Sequence, residues 1–312
     1  MAYYNANEMV RLTRIAKGIT QEELCFGICD VSTLSKMENG HFKIKQSTYH
    51  KLMEKMGRLP EKRYAILVGK DGRISEDRIE WERAYKNQDY EQAEQYLRKM
   101  QESTGNNLLT RQYIARAEAL LNYRLRRIDV EELISQLEEV IRMTVPEYEK
   151  YLQQEKVFPF VKEELLALMS LGNVYCEKGE CEQSIQIYEK ILKCLNANYI
   201  NDPDKITMAI TVKYNVIKMY SEMGRNQEAV AQIDECLLLC RAQDYSRLIL
   251  RLLFEKAHNY VILVNKEELE KCYLQEAKKL LQQTYGLATA REEIEMMSII
   301  KKYYEKYVRD QL

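Results

Sequence analysis

From Thr20 to Gly40 the apolar positions fall into two short clusters separated by a glycine. Thr20 and Glu23 stand at capping-box spacing, which predicts that a helix starts there. Gly27 can adopt the positive φ that ends it after little more than a turn. Asp30 predicts the start of a second helix, its carboxylate placed to accept backbone N–H bonds from the first turn. Within that helix Leu34 and Met37 lie three apart and are expected to face the core, leaving Ser32, Thr33, Ser35 and Lys36 on other faces, with Gly40 closing the helix. Two short helices joined by a tight glycine turn have the helix-turn-helix layout, whose second helix fits a major groove. Residues 47–58 carry Tyr49, Leu52, Met53 and Met56 at helical spacing and predict a core helix. The stretch from Gly57 to Ser75, with Pro60, Gly69 and Gly72, reads as a linker.

Further along, one pattern returns. Leu171-Gly172-x-x-Tyr175 is followed by Ser184 and Tyr188, and Val216-Ile217-x-x-Tyr220 by Ala229 and Ile233, at the same offsets. A glycine turn lies between the halves each time, at Gly179 and Gly224. This resembles the tetratricopeptide pattern, in which small residues let paired helices approach and a large residue fills the gap. Trp81 and Ala84 with Ala93 and Leu97 fit an earlier repeat, and Tyr260 with Ala277 and Leu281 fits one stretched by an insertion around Asn265–Lys271. Residues 112–143 read as a degenerate repeat, Ile294–Tyr307 as a cap, and Asn201-Asp202-Pro203 as a connecting loop. About five helix pairs are expected, and at least three are needed for a stable stack. The expected fold is all-α: a helix-turn-helix domain at 1–64, a linker at 65–75 and a tetratricopeptide-like right-handed helical-repeat domain at 76–312.

Charge sharpens this division. Residues 1–70 hold 12 Lys and Arg against 7 Asp and Glu, while the remainder holds 35 against 41. A basic head on an acidic body suits a polyanion for the head alone. No stretch approaches the roughly 20 apolar residues of a membrane span, and the N-terminus lacks a signal-peptide pattern, so a cytoplasmic location is expected. There the 8 Cys face a reducing compartment and are expected to be mostly buried thiols. With 3 His, at 41, 50 and 258, none completes a zinc spacing. Cys236 and Cys240, one helical turn apart, leave a redox role as a minor possibility. No phosphate loop, HExxH, G-x-S-x-G or dinucleotide fingerprint occurs, so neither enzyme chemistry, a cofactor nor a metal is expected.

The run Gly18-Ile19-Thr20-Gln21-Glu22-Glu23-Leu24 through Val31-Ser32-Thr33-Leu34-Ser35-Lys36-Met37-Glu38-Asn39-Gly40 resembles the lambda-repressor-like helix-turn-helix family over roughly residues 5–59. In detail it looks like the heads of the Rgg/PlcR-like (RNPP-type) pheromone-receptor regulators, with Met37 in place of the usual Ile and Cys25 in place of Ala. The resemblance implies that Gln21 and Asn39 hold phosphates and that Ser32, Thr33 and Lys36 approach base edges, with Val31 against a thymine methyl. Lys43 and Lys45, just beyond the motif, can add backbone contacts. In the repeats, helical register places Met169, Asn173 and Glu177 on the inner face of one first helix. Tyr214, Asn215, Lys218 and Glu222 take it in the next, and Phe254 and His258 in a third. An Asn amide both donates to and accepts from a peptide backbone, which suits an extended peptide; the family uses Asn residues in comparable positions. The expected protein is therefore a homodimeric transcription regulator that binds a two-fold site on double-stranded DNA and senses a short signalling peptide, with no membrane partner. The alternative is a scaffold whose repeats bind a partner protein.

Overall fold

The structure is a computed structural model and describes residues 5–58, 73–103, 108–196, 203–242 and 248–309. Every regular element among these residues is a helix. None is long and apolar enough to cross a membrane. Most of the expected linker, 65–72, and Asn201 and Asp202 of the expected loop lie outside the described residues, whereas residues 73–75 and Pro203 already belong to helices. The described chain forms two compact units that divide between Asp202 and Pro203.

The first unit begins with four short helices: α1 (Ala6–Lys17), α2 (Gln21–Cys25), α3 (Val31–Glu38) and α4 (Gln46–Lys55). α1 and α2 each open on a capping box, Asn5 with Glu8 and Thr20 with Glu23. Gly27, at φ 76°, supplies the left-handed turn between α2 and α3. Asp30 stands at the N-cap of α3 in extended conformation, but its carboxylate caps nothing. The buried set Val10, Leu24, Leu34, Tyr49, Leu52, Met53 and Met56 forms the head's core, and all but Val10 and Leu24 are those the spacing predicts; each large apolar side chain contributes about 1.5–3 kcal/mol. Met37 is a correction. It is only partly buried, and the inward position is taken by Glu38.

After the head come three helix pairs: α5 (Arg73–Lys86) with α6 (Tyr90–Glu102), α7 (Leu108–Arg124) with α8 (Val130–Arg142), and α10 (Lys162–Glu177) with α11 (Cys181–Asn196). Trp81, Ala84, Ala93 and Leu97 share one cluster, as expected of a repeat. In the third pair an added Cβ on Gly172 would stand 3.1 Å from the Tyr188 ring, so a larger residue would push Tyr188 by a few tenths of an ångström from its fully buried seat. Ser184 Oγ donates to the Gly172 carbonyl at 2.7 Å, tying the pair together.

Between the second and third pairs the chain makes an excursion that the repeat pattern does not announce, the short helix α9 (Tyr148–Gln153) and the segment Phe158-Pro159-Phe160. Tyr151 stacks on Phe158 with ring centroids 4.0 Å apart, and Phe158 meets Phe160 edge-on. This aromatic block receives Arg58, the last described residue of the head. Its guanidinium lies 4.9 Å from the Phe158 ring, donates to both Glu164 oxygens at 2.7 and 3.2 Å, and reaches the carbonyls of Thr144 and Pro159. The neighbouring Glu163 is taken by Arg78 of α5 at 2.9 Å. Both ion pairs are buried.

The second unit stacks α12 (Pro203–Glu222) with α13 (Asn226–Ala242), then α14 (Ile249–Asn265) with α15 (Cys272–Ala290), and closes with α16 (Ile294–Tyr307). Here the pair positions of Gly172 and Tyr188 are filled by Ile217 and Ile233, both fully buried. Two medium side chains replace the small and large combination, with Ala229 where Ser184 stood. A buried polar chain adds specificity. Lys266 donates to Asn226, Asn226 to Asn259, and Asn259 to Ser221 and the Glu255 carbonyl. The five pairs and the terminal cap agree with the expected organisation.

Cys25, Cys194, Cys236 and Cys240 are buried, Cys29, Cys176 and Cys181 partly so, and Cys272 is exposed, fewer buried thiols than composition suggested. Burial pushes the Cys236 thiol up to about 12 and raises Cys240 as well, which suppresses the reactive thiolate.

Candidate DNA face and ligand clefts

α3 is positioned from beneath by charge. Glu38 accepts Arg14 Nε and Nη2 at 2.6 and 2.7 Å and Gln21 Nε2 at 2.7 Å, so one buried carboxylate joins α1, α2 and α3. The bidentate pairing raises the Arg14 pKa still further above its ordinary value. Asn7 Nδ2 donates to the carbonyls of Met37 and Phe42, which fixes the exit of α3. With its inner side thus held, α3 leaves Ser32 and Lys36 exposed, with Val31 and Thr33 half-exposed. Asn39, Lys43 and Lys45 continue this exposed surface. Lys36 Nζ lies 5.9 Å from the ring centre of Phe42, itself 52% exposed. Seven of the eight predicted DNA residues thus lie on α3 and the segment after it. Gln21 differs, because its amide N–H is spent on Glu38. Sequence reasoning missed Asn7, Arg14 and Glu38, which present the face without belonging to it. Their partners lie 17 to 35 residues away, beyond any local pattern.

In the first unit, Asn173 and Glu177 share the exposed side of α10. Asn173 Oδ1 accepts from Tyr188 Oη at 2.5 Å, and Glu177 pairs with Arg124 of α7 at 3.1 Å. Met169 is partly buried. A larger hollow of about 670 Å3, lined by Tyr148, Gln154, Gln186 and Lys190 among others, contains neither predicted residue.

In the second unit the predicted residues divide. Tyr214 and Phe254 line a cleft of about 440 Å3 with Arg251, Glu255 and residues 293–296 and 299. Lys218 and Glu222 pair with each other at 3.4 Å, and Asn215 is half-buried. His258 Nδ1 lies 3.0 Å from Tyr303 Oη, and burial lowers its pKa, favouring the neutral ring. Glu255 went unnoticed in the sequence because charged residues are common on helix faces; here burial pushes its pKa up to about 7. Among the described residues no group of three or more His, Cys, Asp or Glu could hold a metal.

Residues 10–62 match the helix-turn-helix family, and residues 78–278 match the RNPP family C-terminal domain. The chain belongs to the RNPP family. Among curated proteins none matches it significantly. This RNPP protein is similar to PlcR of Bacillus thuringiensis solved with the peptide PapR7 and DNA, at 19% identity and a TM-score of 0.59, over 98% of this chain and 99% of that one. It is similar also to PlcR in its apo form, at 17% identity and a TM-score of 0.60, over 94% and 98%. At these identities the likeness establishes a shared fold. The RNPP assignment agrees with the resemblance read from the helix-turn-helix residues.

Proposed function

We propose that this RNPP protein is a cytoplasmic DNA-binding transcription regulator, homodimeric on a two-fold operator and controlled by a short signalling peptide. The observation that carries the reading is α3, which is anchored through Glu38 and offers Ser32 and Lys36 outward, on one chain with an RNPP C-terminal domain. In this reading residues 1–64 are the DNA-binding domain and 76–312 the ligand-binding and dimerising domain. Val31, Ser32, Thr33 and Lys36 meet base edges, and Gln21, Asn39, Lys43 and Lys45 meet phosphates. Asn173, Glu177, Tyr214, Asn215, Lys218, Glu222, Phe254 and His258 supply the peptide contacts. Support for both ligands comes from PlcR, a structure of which contains PapR7 and DNA.

The peptide acts by differential affinity, favouring the arrangement in which two heads match two half-sites. Selection of bound duplexes from a random pool, followed by titration in the presence of peptides from conditioned medium, tests the reading. Enrichment of a palindromic sequence whose affinity changes with peptide is expected. Recovery of no preferred duplex would refute the DNA arm, and an affinity indifferent to every extract would refute the peptide arm.

A further inference from the structure

The cleft in the second unit carries a more specific reading, which rests on the peptide function above. Arg251, Phe254, Glu255 and His258 recur at i, i+3, i+4 and i+7, one stripe of α14, whose other side is packed into the core through Leu252, Leu253, Ala257 and Val261. Its Arg251, Phe254 and Glu255 face the cleft wall formed by the start of α16, where Ile294 is 78% and Ile299 43% exposed, while His258 meets Tyr303. Exposed isoleucines beside a half-buried carboxylate make an amphipathic hollow with apolar and anionic sides. Its one lining cation, Arg251, lies beside the Tyr214 phenol and favours its charged form. The carboxylates of Glu255, Glu293 and Glu295 outnumber it, although Glu293 is paired with Arg291 at 3.9 Å.

We propose that this cleft binds the cationic part of the peptide ligand, a Lys, Arg or N-terminal ammonium placed against Glu255 with an adjoining apolar side chain against Ile294 and Ile299. Glu255 forms no ion pair among the described residues. Burial disfavours its charge by more than the neighbouring Lys218 offsets, and its pKa rises to about 7. A ligand ammonium supplies the missing countercharge, and a charge-assisted hydrogen bond in so enclosed a site discriminates by about tenfold or more. The groups around Glu255 leave this role to a ligand. On α12, Lys218 is already paired with Glu222, and Tyr214 is a phenol whose own pKa burial raises to about 12. On α14, His258 is held toward neutrality and Arg251 lies beside Tyr214. From the α16 side come Glu293, Glu295 and the phenol Tyr303.

The probe is a positional-scanning heptapeptide library, with each position fixed in turn as Lys, Leu or Glu, incubated with the full chain at pH 8. Retained peptides are quantified by mass spectrometry. At one position Lys is expected to exceed Glu and Leu by about tenfold, and Glu255→Gln, isosteric and neutral, is expected to abolish that excess while leaving apolar preferences intact. If Glu255→Gln fails to fold, as judged by its thermal melt, wild-type selection at pH 6 replaces it. Protonation of Glu255 is then expected to reduce the excess. A Lys excess that survives both Glu255→Gln and pH 6, or peptides retained without any basic preference, would overturn this inference and leave the peptide reading standing. Retention of no peptide at all would overturn both.

Discussion

The lysines proposed to meet DNA stand clear of the protein. Lys36, Lys43 and Lys45 are exposed and enter no ion pair among the described residues, while the carboxylate nearest to α3's inner face, Glu38, is buried and committed to Arg14 and Gln21. Apart from Glu255, the polar groups proposed to meet a peptide are, by contrast, engaged already, among them Asn173 with Tyr188, Glu177 with Arg124, Lys218 with Glu222, and His258 with Tyr303. A phosphate can therefore be gripped at little cost in rearrangement. A peptide must exchange partners, and only the difference between old and new contacts counts as affinity. The head is prepared for one type of ligand, whereas the body's selectivity lies in which of its internal contacts a peptide can replace.

The largest effect is expected from breaking the junction that holds the head. Arg58→Ala strands the buried Glu164 carboxylate and should cost about 3–5 kcal/mol of stability, read by denaturant melts of the full chain. A loss below about 1 kcal/mol would mean the junction is open in solution. Next comes pH. The Glu255 pKa is raised in the folded state, so the stability it contributes is present below the ordinary carboxylate pKa, near 4.5, and lost as pH rises through about 7. The melting temperature should fall across that window in the wild type, and Glu255→Gln should flatten the fall; parallel curves would remove this contrast with the head.

On the head, Lys36→Ala should weaken operator binding by about 1–3 kcal/mol if Lys36 meets a base edge, and relax sequence preference there. Weakening that is uniform across sequences, with a shallower salt dependence, would reassign it to phosphate. The smallest effect is expected of Tyr188→Phe. Losing the hydrogen bond to Asn173 should cost about 1 kcal/mol of stability and remove one donor from its Oδ1, so peptide affinity should rise if that oxygen is used. A fall in affinity would place Tyr188 itself among the contacts.

What the sequence disclosed follows from how local each determinant is. Capping at Thr20, the turn at Gly27 and the Gly179 and Gly224 turns are decided within a few residues, and they were legible. The paired substitution of Gly172 and Tyr188 by Ile217 and Ile233 was visible as an offset pattern, though not as one volume divided two ways. Asp30 carries the right residue for a cap and makes no cap bond, because side-chain chemistry does not dictate its rotamer. Arg58, Glu163 and Glu164 look like ordinary surface charges in a chain that is 30% charged. Only long-range packing, with partners 85 to 106 residues apart, buries them, and no spacing rule reports that.

Arg58 and Arg78 flank the stretch that joins head to repeats, and both are moored to consecutive glutamates in the first turn of α10. The two shores of that crossing are fixed independently of the bridge between them. Changes of sequence between the two arginines can thus leave both moorings in their places.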